Sequence, residues 1–520
     1  MRQILCRALD QFLRDSQQCT YLNPETGDRC VNTRIGHAKG HQSASGSFIG
    51  EGAFVDRAFG TDRSLEKVND TIVSTIRDMN KSVDGNKQAR ENKVGTWPYC
   101  VEYQPDLGGI RVLSLDGRGV RGAIQLSILK RLESLVDLDM PLGEHFHMMV
   151  GTSVGGLIAL GLGIHNFNAQ EMMRHFRSLC RDGMEQKALT KSRWFGWAAR
   201  LLTSSIYKTY DLEKALKAIF GTKTLFGYHN GASKVAVTTT VSAETRLLAN
   251  YHWGDGKRYL NADVCTWLAA RCASAAPMYF ESARHDGVDC RDGGLIENNP
   301  LQIAVNEARK LWGTDASFDI VTSIGCGKAD KPQPTPTSTF VISGWAEELF
   351  KTLIETMNGH KAWEKFYDGS GNDMLDRCER LNPSKGQFSA ISGRVEEDGL
   401  TVLANRHRAS LYFFKPISIT HIDEVAIVKG WICCRLRPGR ESHQRLIGQT
   451  SHFKIRGQTV NMPQLQKEER LMLEVSFQQQ VSQNSDPPRI DVKFDRVEYY
   501  ISISGFPMTL QSLKSYWATK

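Results

Sequence analysis

The chain has 520 residues and a mass of 58.3 kDa, with 41% hydrophobic and 23% charged residues, enough for two or three domains with cores of their own. Its 45 glycines and 16 prolines show no collagen period or low-complexity block, and a mean hydropathy of -0.36 excludes a fibrous or an integral membrane protein. The net charge of +8 is uneven: residues 401–520 hold 17 Lys+Arg against 10 Asp+Glu, and the rest of the chain 48 against 47. A basic end can attract nucleic acid or anionic lipid, or be a solvated surface with no partner. Arg2, Arg7, Asp10 and Arg14 interrupt the first apolar stretch, so it does not read as a secretory signal, and the expectation is a cytoplasmic protein, peripheral to membranes at most. The twelve cysteines lack the spacing of a disulfide scaffold and are expected to be reduced.

In chain order, residues 1–47 read as a small turn-rich unit. Cys19, Cys30, His37 and His41 have the spacing C-x10-C-x6-H-x3-H, a set of nitrogen and sulfur ligands that suits tetrahedral structural zinc, although the cysteines stand further apart than usual; unliganded loop residues are the competing reading. Residues 48–107 read as a linker with a solvated helix whose narrow apolar stripe is Leu65, Val68, Ile72 and Ile76. From residue 108 to about 375 the pattern is α/β. Strands are expected at Ile110–Leu115, His147–Val150, Val235–Val241 and Ile320–Ile324, with helices over Ile124–Val136 and from Val154, and their alternation implies a mainly parallel sheet between layers of helix. A Pro/Thr-rich linker over Lys328–Thr339 precedes a helical stretch around Trp345–Met357. Residues 385–520 alternate in short strands separated by polar turns, which predicts a basic β-rich domain of sandwich type.

Three short strings at element boundaries carry the chemistry. Gly151-Thr152-Ser153-Val154-Gly155 lies between a strand and a helix, where glycines permit a sharp turn that exposes a serine hydroxyl beside a helix N-terminus. Asp116-Gly117-Arg118-Gly119-Val120-Arg121-Gly122 occupies another strand-to-helix junction. Its glycines match a dinucleotide fingerprint, but Asp137 and Asp139 precede the next strand rather than end it, which disfavours that cofactor. The other reading is a loop of backbone N–H groups that holds an oxyanion. Asp292-Gly293-Gly294 reads as a polar turn whose carboxylate can act as a base if burial raises its pKa.

Together and in this order, these strings resemble the patatin-like phospholipase family. Its D-G-G-G-x-R-G loop matches Asp116 to Gly122, its nucleophile motif Gly151 to Gly155, and its D-G-G/A motif Asp292 to Gly294. Further similarity lies in Ala273 to Pro277 with Tyr279-Phe280, in Asn298-Asn299-Pro300 and in Ser323 to Gly327. The resemblance covers about residues 108–330. It implies a Ser153–Asp292 dyad with no histidine, an acyl-enzyme intermediate, an oxyanion loop of Gly117, Arg118, Gly119 and Gly122, and no calcium or organic cofactor. The implied activity is phospholipase A-type hydrolysis of phospholipids or other acyl lipids; the alternatives are a catalytically inactive binding or signalling module and an acyltransferase using the same dyad.

Arg118 departs from the family, which has glycine there. A side chain at that position requires a backbone conformation open to L-residues. Arg118 and Arg121 are candidates for a substrate phosphate, against ordinary surface ion pairs. A Ser–Asp–His triad through His360, His407 or His421 is permitted by chain order. Lys191 to Leu202 mixes tryptophan, leucine and basic residues, as suits a lipid headgroup region or a helix packed on the core. Beside a lipid hydrolase, anionic membrane is the better partner for the basic end than nucleic acid.

Overall fold

The computed structural model describes residues 107–183, 208–222, 233–251, 258–260, 263–276, 279–327, 359–383, 397–466, 468–481 and 486–518, with Cys100, Val101, Pro105 and Phe226. The candidate zinc ligands Cys19, Cys30, His37 and His41, the polar helix before residue 99, the Trp-rich segment around Trp194, Pro277 and the Pro/Thr-rich linker with the helix after it lie outside the described residues. Tyr99–Lys520 form one compact unit.

The described elements begin with β1 (Ile110–Leu115), α1 (Gly122–Val136), β2 (Met148–Thr152), α2 (Val154–Gly163), α3 (Ala169–Asp182) and α4 (Thr209–Phe220). They continue with β3 (Lys234–Val241), β4 (Glu244–Ala249), α5 (Thr266–Ala273), β5 (Ala283–His285), β6 (Val288–Asp292), α6 (Leu301–Trp312), β7 (Phe318–Ile324), α7 (Gly359–Asp368), α8 (Asn372–Leu375) and β8 (Cys378–Leu381). The strands form an eight-stranded sheet in the order β5-β6-β3-β2-β1-β7-β8, with β4 also paired to β3. Strands β3, β2, β1, β7 and β8 are parallel, while β4, β5 and β6 are antiparallel at one side.

The central strands are buried almost throughout because both faces are covered. In β1, Leu113 and Leu115 face Leu126, Leu129 and Leu132 of α1, whereas Ile110 and Val112 join Leu301, Ala304 and Ala308 of α6. Helix on both faces of a largely parallel sheet is the three-layer α/β core that the alternation of elements predicts.

Residues 397–518 add α9 (Glu397–Ala409), β9 (Tyr412–Ile422), β10 (Val425–Cys434), α10 (Glu441–Gly448), β11 (Thr450–Ile455), β12 (Gln458–Asn461), β13 (Met472–Gln480), β14 (Ile490–Phe494), β15 (Ile501–Ser502) and α11 (Leu510–Ala518). Two antiparallel sheets result, ordered β13-β10-β9 and β12-β11-β14-β15. The alternating pattern anticipates these strands but not the three helices. In α9 the apolar positions Leu400, Leu403 and Ala404 are outnumbered by charged and polar neighbours, and α9 is held by packing against α1. Tyr412, Phe414, Phe453, Phe494 and Phe506 belong to the same buried cluster as Leu113 and Leu129, so this region shares its core with the sheet.

A buried polar network reinforces that shared core at the end of the sheet where β1 and β7 begin. Asp319 accepts from Ser504 Oγ at 2.6 Å and from Gly505 N–H at 2.8 Å, Arg435 donates to Ser504 Oγ at 2.6 Å, and Arg435 Nη1 lies 3.0 Å from His147 Nε2. The Arg111 amide donates to His147 Nδ1 at 2.9 Å. Burial first, then Arg111 and Arg435, hold His147 far below the usual histidine range, so the imidazole between the two guanidinium groups is neutral.

Candidate active site

The turn between β2 and α2 places Ser153 at φ 51° and ψ -123°, a left-handed conformation that costs energy for a residue with a side chain. Surrounding contacts hold it there. Ser153 precedes α2, its carbonyl accepts from Leu157 N–H at 3.1 Å, and Gly155 brings the helix start so close to β1 that a Cβ would lie 2.3 Å from the Leu115 carbonyl oxygen. Only glycine fits that approach, and the elbow is fixed by the sheet beneath it.

Asp292 comes from β6, so its carboxylate ends a strand rather than sitting in the expected turn. Asp292 pairs with Thr239 of β3, its N–H donates to the Ala275 carbonyl at 3.0 Å, and its carbonyl accepts from Thr240 Oγ1 at 3.0 Å. The strand was hidden because Cys290 and Asp292 are its two fully buried positions and one of them is ionisable. Ser153 Oγ donates to Asp292 Oδ2 at 2.5 Å, and Asp292 Oδ1 accepts from the Gly294 N–H at 2.8 Å. Burial raises the Asp292 pKa to about 6, against the opposing pull of the Ser153 and Gly294 hydrogen bonds. A buried carboxylate held only by neutral donors can exist ionised at neutral pH and still accept a proton readily.

The Gly-rich loop lies over the serine: a Cβ on Gly117 would approach Ser153 Cβ to 3.0 Å. Gly117 donates its N–H to the Asn298 carbonyl at 3.0 Å, which removes it from the set of available oxyanion donors. The Arg118 and Gly119 amides donate to nothing among the described residues. Gly119 has φ 52° with open space where a side chain would stand, and Arg118 has φ -178°. The family's middle glycine is therefore replaced at a point of extended backbone, which an arginine adopts without strain. Arg118 Nη1 reaches the Gly327 carbonyl at 3.5 Å, Arg121 also lies beside Gly327, and Gly122 sets the start of α1 against Val154.

Residues that the motifs do not contain hold this loop. Arg380 of β8 grips Asp116 with both terminal nitrogens, at 2.9 and 2.6 Å, and also donates to Ser323 Oγ at 2.6 Å. Gln125 donates to the Asp116 and Ile324 carbonyls at 3.0 and 2.9 Å. Asn382 Oδ1 accepts from Gly327 N–H at 2.9 Å. No local pattern marks Arg380, because its partner lies 264 residues earlier.

The three candidate histidines lie elsewhere. His407 is buried against His145 and Phe146, His421 is on β9, and His360 Nε2 is 3.6 Å from Glu364. Asp137 and Asp139, weighed for a dinucleotide ribose, have left-handed backbones after α1, and Asp137 pairs with Arg445 at 3.1 Å.

Comparison with known proteins follows this geometry. Residues 113–305 match the family model for patatin-like phospholipase, and residues 427–518 match a domain of unknown function, DUF8392. Calcium-independent phospholipase A2-gamma of Oryctolagus cuniculus is 30% identical over 262 residues, which cover 48% of this chain and 32% of that protein. The cGAMP-activated phospholipase of Escherichia coli (strain TW11681) is 29% identical over 221 residues, covering 41% of this chain and 58% of that protein. Phospholipase A I of Arabidopsis thaliana is 24% identical over 273 residues, covering 42% and 21%. The chain thus spans less than two thirds of each of these relatives, and the segment that matches the patatin-like phospholipase model, residues 113–305, contains the serine elbow, the glycine loop and Asp292.

Proposed function

We propose that this chain is a lipid acyl hydrolase of the phospholipase A type, acting through Ser153 and Asp292. The observation that carries the reading is the 2.5 Å hydrogen bond from the Ser153 hydroxyl to a buried carboxylate whose pKa is raised to about 6. Asp292 takes the hydroxyl proton as Ser153 Oγ attacks the ester carbonyl carbon. The oxygen of the tetrahedral intermediate takes hydrogen bonds from the Arg118 and Gly119 amides, each such donor being worth about 3 kcal/mol. Collapse breaks the ester bond, and the departing alcohol or lysolipid oxygen takes the proton from Asp292. Water, deprotonated by Asp292, then releases the fatty acid and restores Ser153. Neither step needs a metal or an organic cofactor.

A lipid substrate also suits the surface around these segments. Val120 in the glycine loop, Ile296 just after Asp292-Gly293-Gly294, and Tyr279 are 58%, 40% and 43% exposed, the kind of apolar rim that rests on a bilayer surface. No described helix is long and apolar enough to cross a membrane, so we read the contact as peripheral. The three relatives are all phospholipases by name.

The test is a screen of phospholipid, lysolipid, galactolipid and triacylglycerol hydrolysis with Ser153→Ala as control, together with labelling by a fluorophosphonate ester. Release of fatty acid that disappears in Ser153→Ala, with label on Ser153, supports the reading. A Ser153 that neither labels nor turns over any acyl lipid sinks it in favour of a non-catalytic module.

A further inference from the structure

The excess charge of the last 120 residues is not spread evenly over a surface. Arg435 is fully buried, and Arg406 and Arg489 line a cavity of about 690 Å³ together with Arg309, Arg377, Tyr499 and Tyr500, a volume that suits a small molecule. Phe318 and Asp319 at the start of β7 also line it, whereas Ser153 follows the far end of β2, which runs parallel to β1 and β7. A strand of seven residues separates the two ends by roughly 20 Å, so this is not the acyl site.

Four arginines open into this space, and none forms an ion pair with a described carboxylate. Arg406 donates only to the Asp319 and Asp376 carbonyls, at 3.1 and 3.2 Å, and Arg377 only to the Phe506 carbonyl, at 3.1 Å. Arg489 has no partner among the described residues. Burial, and after it the neighbouring Arg377, push the Arg406 pKa down, and Glu379 and Asp319 oppose the shift only in part. Three aspartates, Asp319, Asp373 and Asp376, share the wall with the four guanidinium groups, and Asp319 has both oxygens engaged by Ser504 and Gly505.

The apolar part of the wall is equally open. Tyr499 and Tyr500 are among the few large apolar side chains that remain exposed, and their hydroxyls are anchored, Tyr499 by Asn405 at 2.9 Å and Tyr500 by His452 at 3.0 Å. An anchored, exposed ring is a stacking platform; Lys454 and Lys493 already stand over the Tyr500 ring, at 4.6 and 5.5 Å from its centroid, which leaves Tyr499 for that role. Guanidinium groups with unspent donors match phosphate oxygens in bidentate fashion.

We propose that this cavity binds a phosphorylated ligand of nucleotide size, its phosphates held by Arg377, Arg406 and Arg489 and its planar base laid on Tyr499. The site is separate from the acyl site, and β8 runs between the two, with Arg377 beside the cavity and Arg380 on Asp116.

Isothermal titration of the full chain with ATP, cyclic di-AMP, inorganic triphosphate and inositol hexakisphosphate tests it. The expected result is saturable binding of at least one nucleotide, tighter than inorganic triphosphate, unchanged in Ser153→Ala and weakened about tenfold in Arg489→Gln. Arg489 is exposed and makes no bond that folding needs, so that variant keeps the proposal open to refutation even if Arg406→Gln does not fold. No saturable binding of either nucleotide, binding unaltered by Arg489→Gln, or a preference for inositol hexakisphosphate over both nucleotides would overturn the proposal.

Discussion

The two ends of the central sheet handle buried charge in opposite ways. Where the strands end, Arg380 and Asp116 neutralise one another in a bidentate pair, and Asp292 is held by a hydroxyl and an amide. Where the strands begin, Arg111 and Arg435 share one carboxylate, Asp319, with a neutral His147 between them. Burial pushes both Asp116 and Asp292 up, but Arg380 opposes it at Asp116 with a full charge, whereas only neutral donors oppose it at Asp292. The lesson is that burial alone does not make a base. A carboxylate becomes one where its neighbours stabilise the ionised form only weakly, and an identical side chain clamped by arginine becomes a structural tie.

The first way to break the comparison is to remove the proposed reacting pair. Ser153→Ala and Asp292→Asn are each expected to lower ester hydrolysis by at least about a thousandfold, with circular dichroism unchanged; activity surviving in either variant refutes the dyad. Next is the tie at Asp116. Arg380→Met leaves a buried carboxylate uncompensated and is expected to cost about 3–5 kcal/mol in urea unfolding, and a loss below 1 kcal/mol would show the pair to be dispensable.

Asp292 makes the opposite prediction for stability. Its folded pKa, about 6, lies above the ordinary aspartate value of 3.8, so the native state holds this proton more tightly than the unfolded chain does. The associated stabilisation is present below pH 3.8 and lost as pH rises through 6. At pH 8 the ionised carboxylate is thus a burden of up to about 3 kcal/mol, and Asp292→Asn is expected to raise the thermal midpoint while abolishing turnover. A lowered midpoint contradicts the burial argument.

The same pKa sets a milder test of the proposed activity in the unsubstituted chain. Since the base must be ionised, kcat/KM is expected to fall about tenfold per pH unit below 6 and to level off above it; a profile flat down to pH 5 excludes Asp292 as the base. The smallest effect is expected at Arg118. Because its backbone is extended and its amide N–H is kept by either residue, Arg118→Gly should change kcat by less than about threefold, and a larger loss would assign work to the guanidinium.

Much of the catalytic end was legible because its constraints are local. A strained serine needs glycines two residues either side, and a glycine loop needs a strand before it and a helix after it; both signatures are contiguous in Gly151–Gly155 and Asp116–Gly122. The strands Ile110–Leu115 and Val235–Val241 were equally plain, since burial on both faces leaves short runs rich in aliphatic and β-branched residues. Strand β6 was not, because its inward side chains include Asp292, and helix α9 was not, because its packing against α1 outweighs a weak apolar stripe.

By itself, then, the amino-acid order determined the residues that could react and the layers that could carry them. Only the tertiary structure decided which donors remain to meet an oxyanion, since Gly117 is taken by Asn298 while Arg118 and Gly119 are not. It alone decided that Arg380 serves Asp116 and that the basic residues of the C-terminal region close part of a cavity. The physical reason is range. Backbone strain and strand periodicity act between neighbours a few residues apart, whereas ion pairs, shared cores and cavities join residues hundreds of positions apart and exist only once the chain has closed on itself.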